Sequence, residues 1–321
     1  MSLLILQAHF GYMVIYNGYN DLDLISPVVT LGIFDGVHRG HAALLERLVT
    51  LAKENNGQSV VITFNPHPRL VLDKNRQELS FLTTIDEKKR LLEKAGIDIL
   101  VIIRFTRKFS RLEACDFVEQ VLVQKIKTSY LVVGYDHHFG SMGKGDYDTI
   151  KQCAGSYGFR IEKVQGLYSG GGAISSTLIR EALLKGNLND ASRWLGYNYS
   201  LKGSVVKGRG IGRSLGYPTA NIKPADKYKL IPGDGVYAVE VILGINNFPG
   251  MLSIGKNPTI RPEADRRSIE VNIIDFSGDI YEKEIEVVFR HRLRDEIKFE
   301  NLEQLSRQMK LDRENALQVL T

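Results

Sequence analysis

Residue types able to cradle phosphate and to move a proton are concentrated in a few short segments of this 321-residue chain. The densest is Gly32-Ile33-Phe34-Asp35-Gly36-Val37-His38-Arg39-Gly40-His41. Glycines let a ligand approach the backbone closely, and a helix starting at the end of the segment would draw phosphate to its N-terminus. His38 and His41 stand three positions apart, which turns two helical side chains to one side. Gly32, Phe34, Asp35 and Gly36 complete this candidate site. Ser175, Ser176 and Thr177, with Arg180 one turn later, form a second group suited to a chain of phosphates, although Ser175 alone reads equally as a helix cap. Thr219 and Asn221 follow Pro218 in an extended run and point to the same side, where both can offer oxygen to Mg²⁺. Glu270 lies among β-branched neighbours. A carboxylate so placed can take the proton that an alcohol nucleophile sheds, a contribution of roughly 10²–10⁴-fold. An exposed strand carboxylate is the plainer alternative.

Three further segments carry weaker signals. Phe64-Asn65-Pro66-His67-Pro68 brings Asn65 and His67 to the end of an apolar run, and Gly134-Tyr135-Asp136-His137-His138-Phe139-Gly140 does the same for Gly134 and Asp136. Between Gly203 and Gly216 the glycines Gly208, Gly210, Gly212 and Gly216, with Arg213, read equally as a ligand loop and as a plain mobile hairpin. Their spacing fits neither a Walker A loop nor a dinucleotide fingerprint. Arg290 to Phe299 is a charged run whose default reading is a solvated helix start. A metal site from His38, His41, His67, His137 and His138 is a rival, but neither cysteine falls at a zinc spacing.

The elements that must hold these residues differ between the two halves. From Val28 to about Leu195, short β-branched runs (Val28–Leu31, Ser59–Phe64, Ile99–Ile103, Tyr130–Val133) alternate with helical patterns. This predicts an α/β domain with a parallel sheet covered by helices, binding ligands beyond the carboxyl ends of its strands. After Trp194-Leu195-Gly196 the runs become short and regularly spaced, from Tyr199–Val206 to Ile285–Phe289, with Gly, Pro, Asn or Asp between them. That is the signature of an antiparallel barrel or sandwich, and an amphipathic helix through Leu302 and Val319 ends the chain. The expected organisation is an N-terminal extension over 1–12, one domain over 13–190 and a second over 191–321.

Composition narrows the classes. A formal charge of +5 is spread over both halves, without the one-sided basic stripe of a nucleic-acid binder. No stretch approaches the roughly 18 apolar residues of a membrane span, and the opening Leu3–Leu6 run is a poor signal peptide. Cys115 and Cys153 cannot make a disulfide framework, so a cytoplasmic protein is expected.

The Gly32–His41 segment resembles the signature of the HIGH-type nucleotidyltransferases. Together with Phe64–Pro68, Gly134–Gly140 and Ile174–Arg180 it resembles the FAD synthetase module of the bacterial bifunctional riboflavin kinase/FMN adenylyltransferase family. Gly203–Ile222, Gly235–Ala238, Ile254–Thr259 and Ile269–Phe276 resemble the riboflavin kinase motifs of the same family. Class I aminoacyl-tRNA synthetases share the first element, but the chain leaves no room for a tRNA-reading domain. The resemblance implies a Rossmann-like N-terminal domain, a C-terminal antiparallel barrel, and the sequence riboflavin to FMN to FAD with Mg²⁺-ATP consumed in both steps. It further implies that His38 and His41 donate to ATP phosphates, that Ser175, Ser176, Thr177 and Arg180 hold the triphosphate, and that Asp136 lies near the nucleoside or Mg²⁺. Asn65 or His67 would touch FMN, Glu270 would act as the base for the ribityl hydroxyl, and Arg294 and Glu296 would contact flavin. Partners would be these small molecules, without nucleic acid or membrane; the oligomeric state stays open.

Overall fold

A computed structural model describes residues 12–135, 145, 147–169, 172–208, 212, 216–255 and 267–320. These form two compact units. The first runs up to Leu79 and from Ile85 to Ile174; the second takes Ser80–Thr84 and everything from Ser175 onward.

The first unit is laid down as β1 (Val14–Asn17), β2 (Val28–Leu31), α1 (Arg39–Glu54), β3 (Ser59–Asn65), α2 (Pro68–Leu72), α3 (Ile85–Lys94), β4 (Ile99–Arg104), α4 (Ala114–Phe117), β5 (Tyr130–Gly134), α5 (Tyr147–Tyr157) and β6 (Arg160–Val164). A small hairpin of β7 (Tyr168–Ser169) and β8 (Gly172–Ala173) closes it. The six long strands make one parallel sheet in the order β1-β4-β3-β2-β5-β6. Successive strand residues face opposite sides. Val29, Leu31, Val60, Ile62, Val101 and Val133 accordingly join one buried cluster, against α4 and α5. Val28, Val61, Leu100, Ile102 and Val132 join the other, against Leu44, Leu45 and Leu48 of α1 and Leu92 of α3. Burial on both faces is what continuous apolar strand runs require.

Three differences from the sequence expectation stand out. The edge strands β1 and β6 carry mixed, half-exposed residues, so they lack the apolar run that marks a central strand. The helical pattern expected between the Ile99–Ile103 and Tyr130–Val133 runs is α-helical over Ala114–Phe117 and continues as a π-helical stretch, Val118–Val123. Cys115 and Cys153, too few to build a framework, nevertheless form one disulfide that ties α4 to α5 across a Cα separation of 5.9 Å.

The second unit opens with α6 (Ser176–Leu184) and α7 (Leu188–Leu195), then runs through β9 (Ser200–Val206), β10 (Ala220–Pro224), β11 (Gly235–Leu243), β12 (Asn246–Gly255), β13 (Ser268–Ile273), β14 (Glu284–Arg294) and α8 (Leu302–Leu320). Gly196 ends α7 with a φ of 83°, a left-handed conformation that suits glycine. The strands close as an antiparallel barrel in the order β10-β13-β12-β11-β14-β9, which decides between the barrel and sandwich readings. Residues 290–294, expected to begin a helix, instead extend β14. α8 covers one side of the barrel through Ala316, which packs with Ala238, Met251 and Ile274. The excursion Ser80–Thr84 adds a short parallel bridge, Phe81 to Lys229, and Lys229 Nζ donates to Leu82 O at 2.7 Å.

Candidate active sites

In the parallel sheet the chain leaves β2 for β3 on one side, while β5 lies on the other. This is a topological switch point, the place where open α/β sheets bind ligands. The carboxyl ends of the adjacent strands β3, β2 and β5 deliver Asn65, the loop that begins at Gly32, and Gly134 to the same edge.

The loop from Gly32 to His38 is unusual in its backbone. Phe34 (φ 50°), Gly36 (φ 83°) and Val37 (φ 36°) all adopt positive φ, and two of the three are not glycine. Such residues cost on the order of 1–3 kcal/mol each and gather where a ligand is handled. Gly32 lets the Phe34 ring fold back over it, with ring atoms 3.1 Å from where a β-carbon would stand. Phe34, Asp35, Val37 and His38 are all buried.

His38 is the N-cap residue of α1 but makes no side-chain cap, and the first turn holds no acidic residue. The open backbone N–H groups and Arg39 therefore give this helix start a positive character that favours an anion. The His38 and His41 rings stack at 3.7 Å with an interplanar angle of 20°, and the Phe34 ring meets His41 edge-on at 5.1 Å. Gly40 makes this possible: a β-carbon there would lie 3.1 Å from the His38 ring and 3.2 Å from Ile174 O. His41 Nδ1 is buried without a hydrogen-bond partner among the described residues. Burial, followed by the positive fields of His38 and Lys88, holds its pKa well below the usual 6.5. His41 thus stands as a neutral-leaning ring, stacked on His38 at a helix start that favours an anion.

Lys88, which the sequence reading did not single out, reaches this loop from α3 and donates to Ile33 O at 2.5 Å. Thr63 Oγ1 donates to the same carbonyl at 3.3 Å. At the end of β3, Asn65 is exposed, and His67 caps α2 by accepting from Arg69 N at 3.1 Å. Asp136 lies outside the described residues.

In the second unit, Ser175 does cap a helix: its Oγ accepts from Leu178 N at 3.3 Å. Arg180 Nη1 lies 3.4 Å from Thr177 Oγ1, so a hydroxyl and a guanidinium occupy the same first turns of α6.

Within the barrel, β10 and β13 pair so that Asn221 stands directly opposite Glu270. Thr219 immediately precedes β10, and its hydroxyl donates to Glu270 Oε2 at 3.2 Å. Ser268, two residues before Glu270 on the same face, donates to Glu270 Oε1 at 3.2 Å. Asn272, two residues beyond, donates from Nδ2 to Pro218 O at 2.8 Å and so fixes the turn that carries Thr219. A β-carbon at Gly212 would collide with the backbone Tyr217 O, so that glycine is required by close approach, while one at Gly208 would displace the Asn221 amide. Gly216 turns at φ 82° before Tyr217-Pro218. Gly210 and Arg213 lie outside the described residues. Beside Thr219 opens a cavity of about 580 Å³ lined by Val205, Pro218, Val271 and Phe276 among others. Thr219, Asn221 and Glu270 present hydroxyl, amide and carboxylate oxygens, the hard donors that Mg²⁺ prefers.

Arg294 is held by Asp312 of α8 in a two-pronged pair, with Nη2 to Oδ2 at 2.7 Å and Nε to Oδ1 at 2.9 Å. The Glu296 carboxylate lies over Gly255, at the strand end opposite Ser268.

A parallel α/β unit whose helix start favours an anion, together with a barrel that sets a carboxylate against a hydroxyl, fits a two-site phosphoryl- and nucleotidyl-transferring enzyme. Two family models match, FAD synthetase over residues 23–178 and riboflavin kinase over residues 195–320. Bifunctional riboflavin kinase/FMN adenylyltransferases from Listeria monocytogenes and Escherichia coli K12 are each 38% identical, over 91% of both chains and over 89% of this chain and 90% of that one, respectively. A solved structure from Streptococcus pneumoniae, described as a macrolide-efflux protein, superimposes with a TM-score of 0.85 at 33% identity, covering 94% of this chain and 98% of that one. Among the described residues here, no helix is long and apolar enough to cross a membrane. The chain belongs to the bifunctional riboflavin kinase/FMN adenylyltransferase family, and it converts riboflavin to FMN and FMN to FAD.

Proposed function

We propose that both steps draw on Mg²⁺-ATP, the first at the barrel and the second at the parallel sheet, with domains dividing near residue 190. The observation that carries this reading is the Thr219–Glu270 hydrogen bond, because it joins a hydroxyl able to hold a metal to a carboxylate able to take a proton, and Thr219 also lines an open cavity. With its proton directed to Glu270, the Thr219 oxygen keeps its lone pairs for a cation, and Asn221 supplies a second oxygen. Bound Mg²⁺ would neutralise charge on the transferred phosphoryl group. Glu270 accepts the proton of the ribityl 5′-hydroxyl as that oxygen attacks. Gly208, Gly210, Gly212, Arg213, Gly216 and Pro218 shape the loop over ATP, and Arg294 and Glu296 border the flavin.

Adenylyl transfer asks less of acid–base chemistry. The FMN phosphate is already an anionic nucleophile, so the site must align it with the α-phosphorus and stabilise charge. His38 and His41 donate to phosphate oxygens at the start of α1, with Gly32, Phe34, Asp35, Gly36 and Gly134 shaping the pocket. Ser175, Ser176, Thr177 and Arg180 hold the triphosphate, Asp136 serves the nucleoside or Mg²⁺, and Asn65 or His67 meets FMN. The enzyme works in the cytoplasm on these small molecules, without nucleic acid or membrane as partner. Incubating the protein with riboflavin, ATP and Mg²⁺ and separating the flavins over time tests this: FMN should appear first and FAD later, each only with Mg²⁺ present. Flavin turnover with ATP omitted would reject the donor.

A further inference from the structure

Lysine is almost never fully buried unless it is paired. Lys88 is 6% exposed, and its ammonium is spent inside the protein, 2.5 Å from the Ile33 carbonyl. Its charged form is favoured by the field of Asp35, itself 4% exposed and two residues beyond Ile33 on the same loop. The segment between them carries Phe34 at φ 50°, and Val37 at φ 36° follows. A loop bent in this way keeps its shape only if surrounding groups over-determine it. Two side chains do so at one carbonyl: Lys88 from α3 and Thr63 from β3. Hydrogen bonds from charged donors are about twice as strong as neutral ones, which makes Lys88 the stronger clamp.

We propose that Lys88 is a positioning residue for FAD formation: its ammonium, hydrogen-bonded to the Ile33 carbonyl, holds the loop in the shape that presents His38 and His41 to the nucleotide phosphates. The proposal rests on the reading of that loop as the adenylyl-transfer site.

The ionisable groups that face Lys88 are Asp35 in the loop and His41 in the first turn of α1, with His38 stacked on His41. Burial lowers the Lys88 pKa from 10.5 to about 8, and Asp35 opposes only part of that. The clamp therefore loses its charge in mildly alkaline solution, where the phosphates of FMN and ATP no longer titrate. A side chain that only filled space would give FAD formation no such pH limit.

The test uses the full-length enzyme and follows FMN-to-FAD conversion, with riboflavin phosphorylation in the same preparation as an internal control. Wild-type FAD formation should fall as pH rises through about 8, while the kinase step does not share that limb. Lys88→Met should lower kcat/KM for FAD formation at neutral pH by roughly 10²-fold, the scale expected of misplaced catalytic groups. Lys88→Arg, which restores a cation that does not deprotonate, should recover activity and remove the alkaline limb. A wild-type profile flat across that range, or a Lys88→Met enzyme with unchanged kcat/KM, overturns the proposal. His41→Ala, assayed alongside, reports on the underlying reading: if it still makes FAD, the loop is not the site and the Lys88 assignment falls with it.

Discussion

The Thr219 hydroxyl lies 3.2 Å from Glu270 Oε2, joining the residue assigned to the metal with the residue assigned to the proton. Ser268 binds the other carboxylate oxygen at the same distance, so Glu270 is held from both sides. A carboxylate pinned in one rotamer meets an incoming alcohol without first giving up conformational freedom, which is how positioning becomes rate.

Ser268→Ala removes one of these two anchors. A hydrogen bond to a charged group contributes about 1.5–3 kcal/mol, and that energy corresponds to roughly a tenfold or larger fall in riboflavin kinase kcat. KM for riboflavin should stay close to wild type, because Ser268 acts through Glu270. Ser268→Thr, which keeps the hydroxyl, should restore most of the rate. Steady-state kinase assays on the two variants check this, and equal losses in both would contradict a role through the hydroxyl.

His41 has its pKa pushed well below 6.5 by burial and by neighbouring positive charge. In the unfolded chain it takes a proton near 6.5, whereas the folded protein does so only at lower pH. Below the unfolded value the unfolded state therefore binds more protons, and stability falls as pH drops through that window toward the folded pKa. Denaturant midpoints at pH 7.5 and at pH 5.5 should differ more for wild type than for His41→Gln. Imidazole signals followed by NMR should show His41 still neutral at the acid end of the range.

Asp312 is 3% exposed and makes its two-pronged pair with Arg294 where α8 meets the barrel. Removing one partner of a buried pair leaves the other charge without compensation, at a cost of about 3–5 kcal/mol. Asp312→Ala should thus lower the Tm of the barrel transition and loosen α8 toward proteolysis. FAD formation from supplied FMN should change little. Calorimetry with limited proteolysis measures both effects.

Much of this architecture could be read from the chain, for identifiable reasons. Val28-Val29-Thr30-Leu31 is buried at every position, and such a run has no other stable home than a central parallel strand. The barrel strands were legible because Gly, Pro, Asn or Asp punctuates them at short intervals. The edge strand β6 was not legible, since Arg160-Ile161-Glu162-Lys163-Val164 is half solvated and packs on one side only. Lys88 escaped notice because Asp86-Glu87-Lys88-Lys89-Arg90 looks like a solvated helix face, and only the tertiary fold buries its second and third members. The Arg290–Arg294 run read as a helix start because its charges hid the strand alternation that continues from Phe289. Ser268 had a visible signal, two residues before Glu270 on an expected strand. Its meaning depended on the side-chain rotamer, which a sequence does not carry.

The central claim is that one chain holds two separable sites, and a reciprocal pair of variants tests it most directly. His41→Ala and Glu270→Gln are each given riboflavin with Mg²⁺-ATP, and separately FMN with Mg²⁺-ATP, while the flavins are quantified over time. His41→Ala should accumulate FMN and make no FAD from either substrate. Glu270→Gln should leave riboflavin unchanged yet convert supplied FMN to FAD at the wild-type rate. Loss of both activities together in either folded variant would contradict the account.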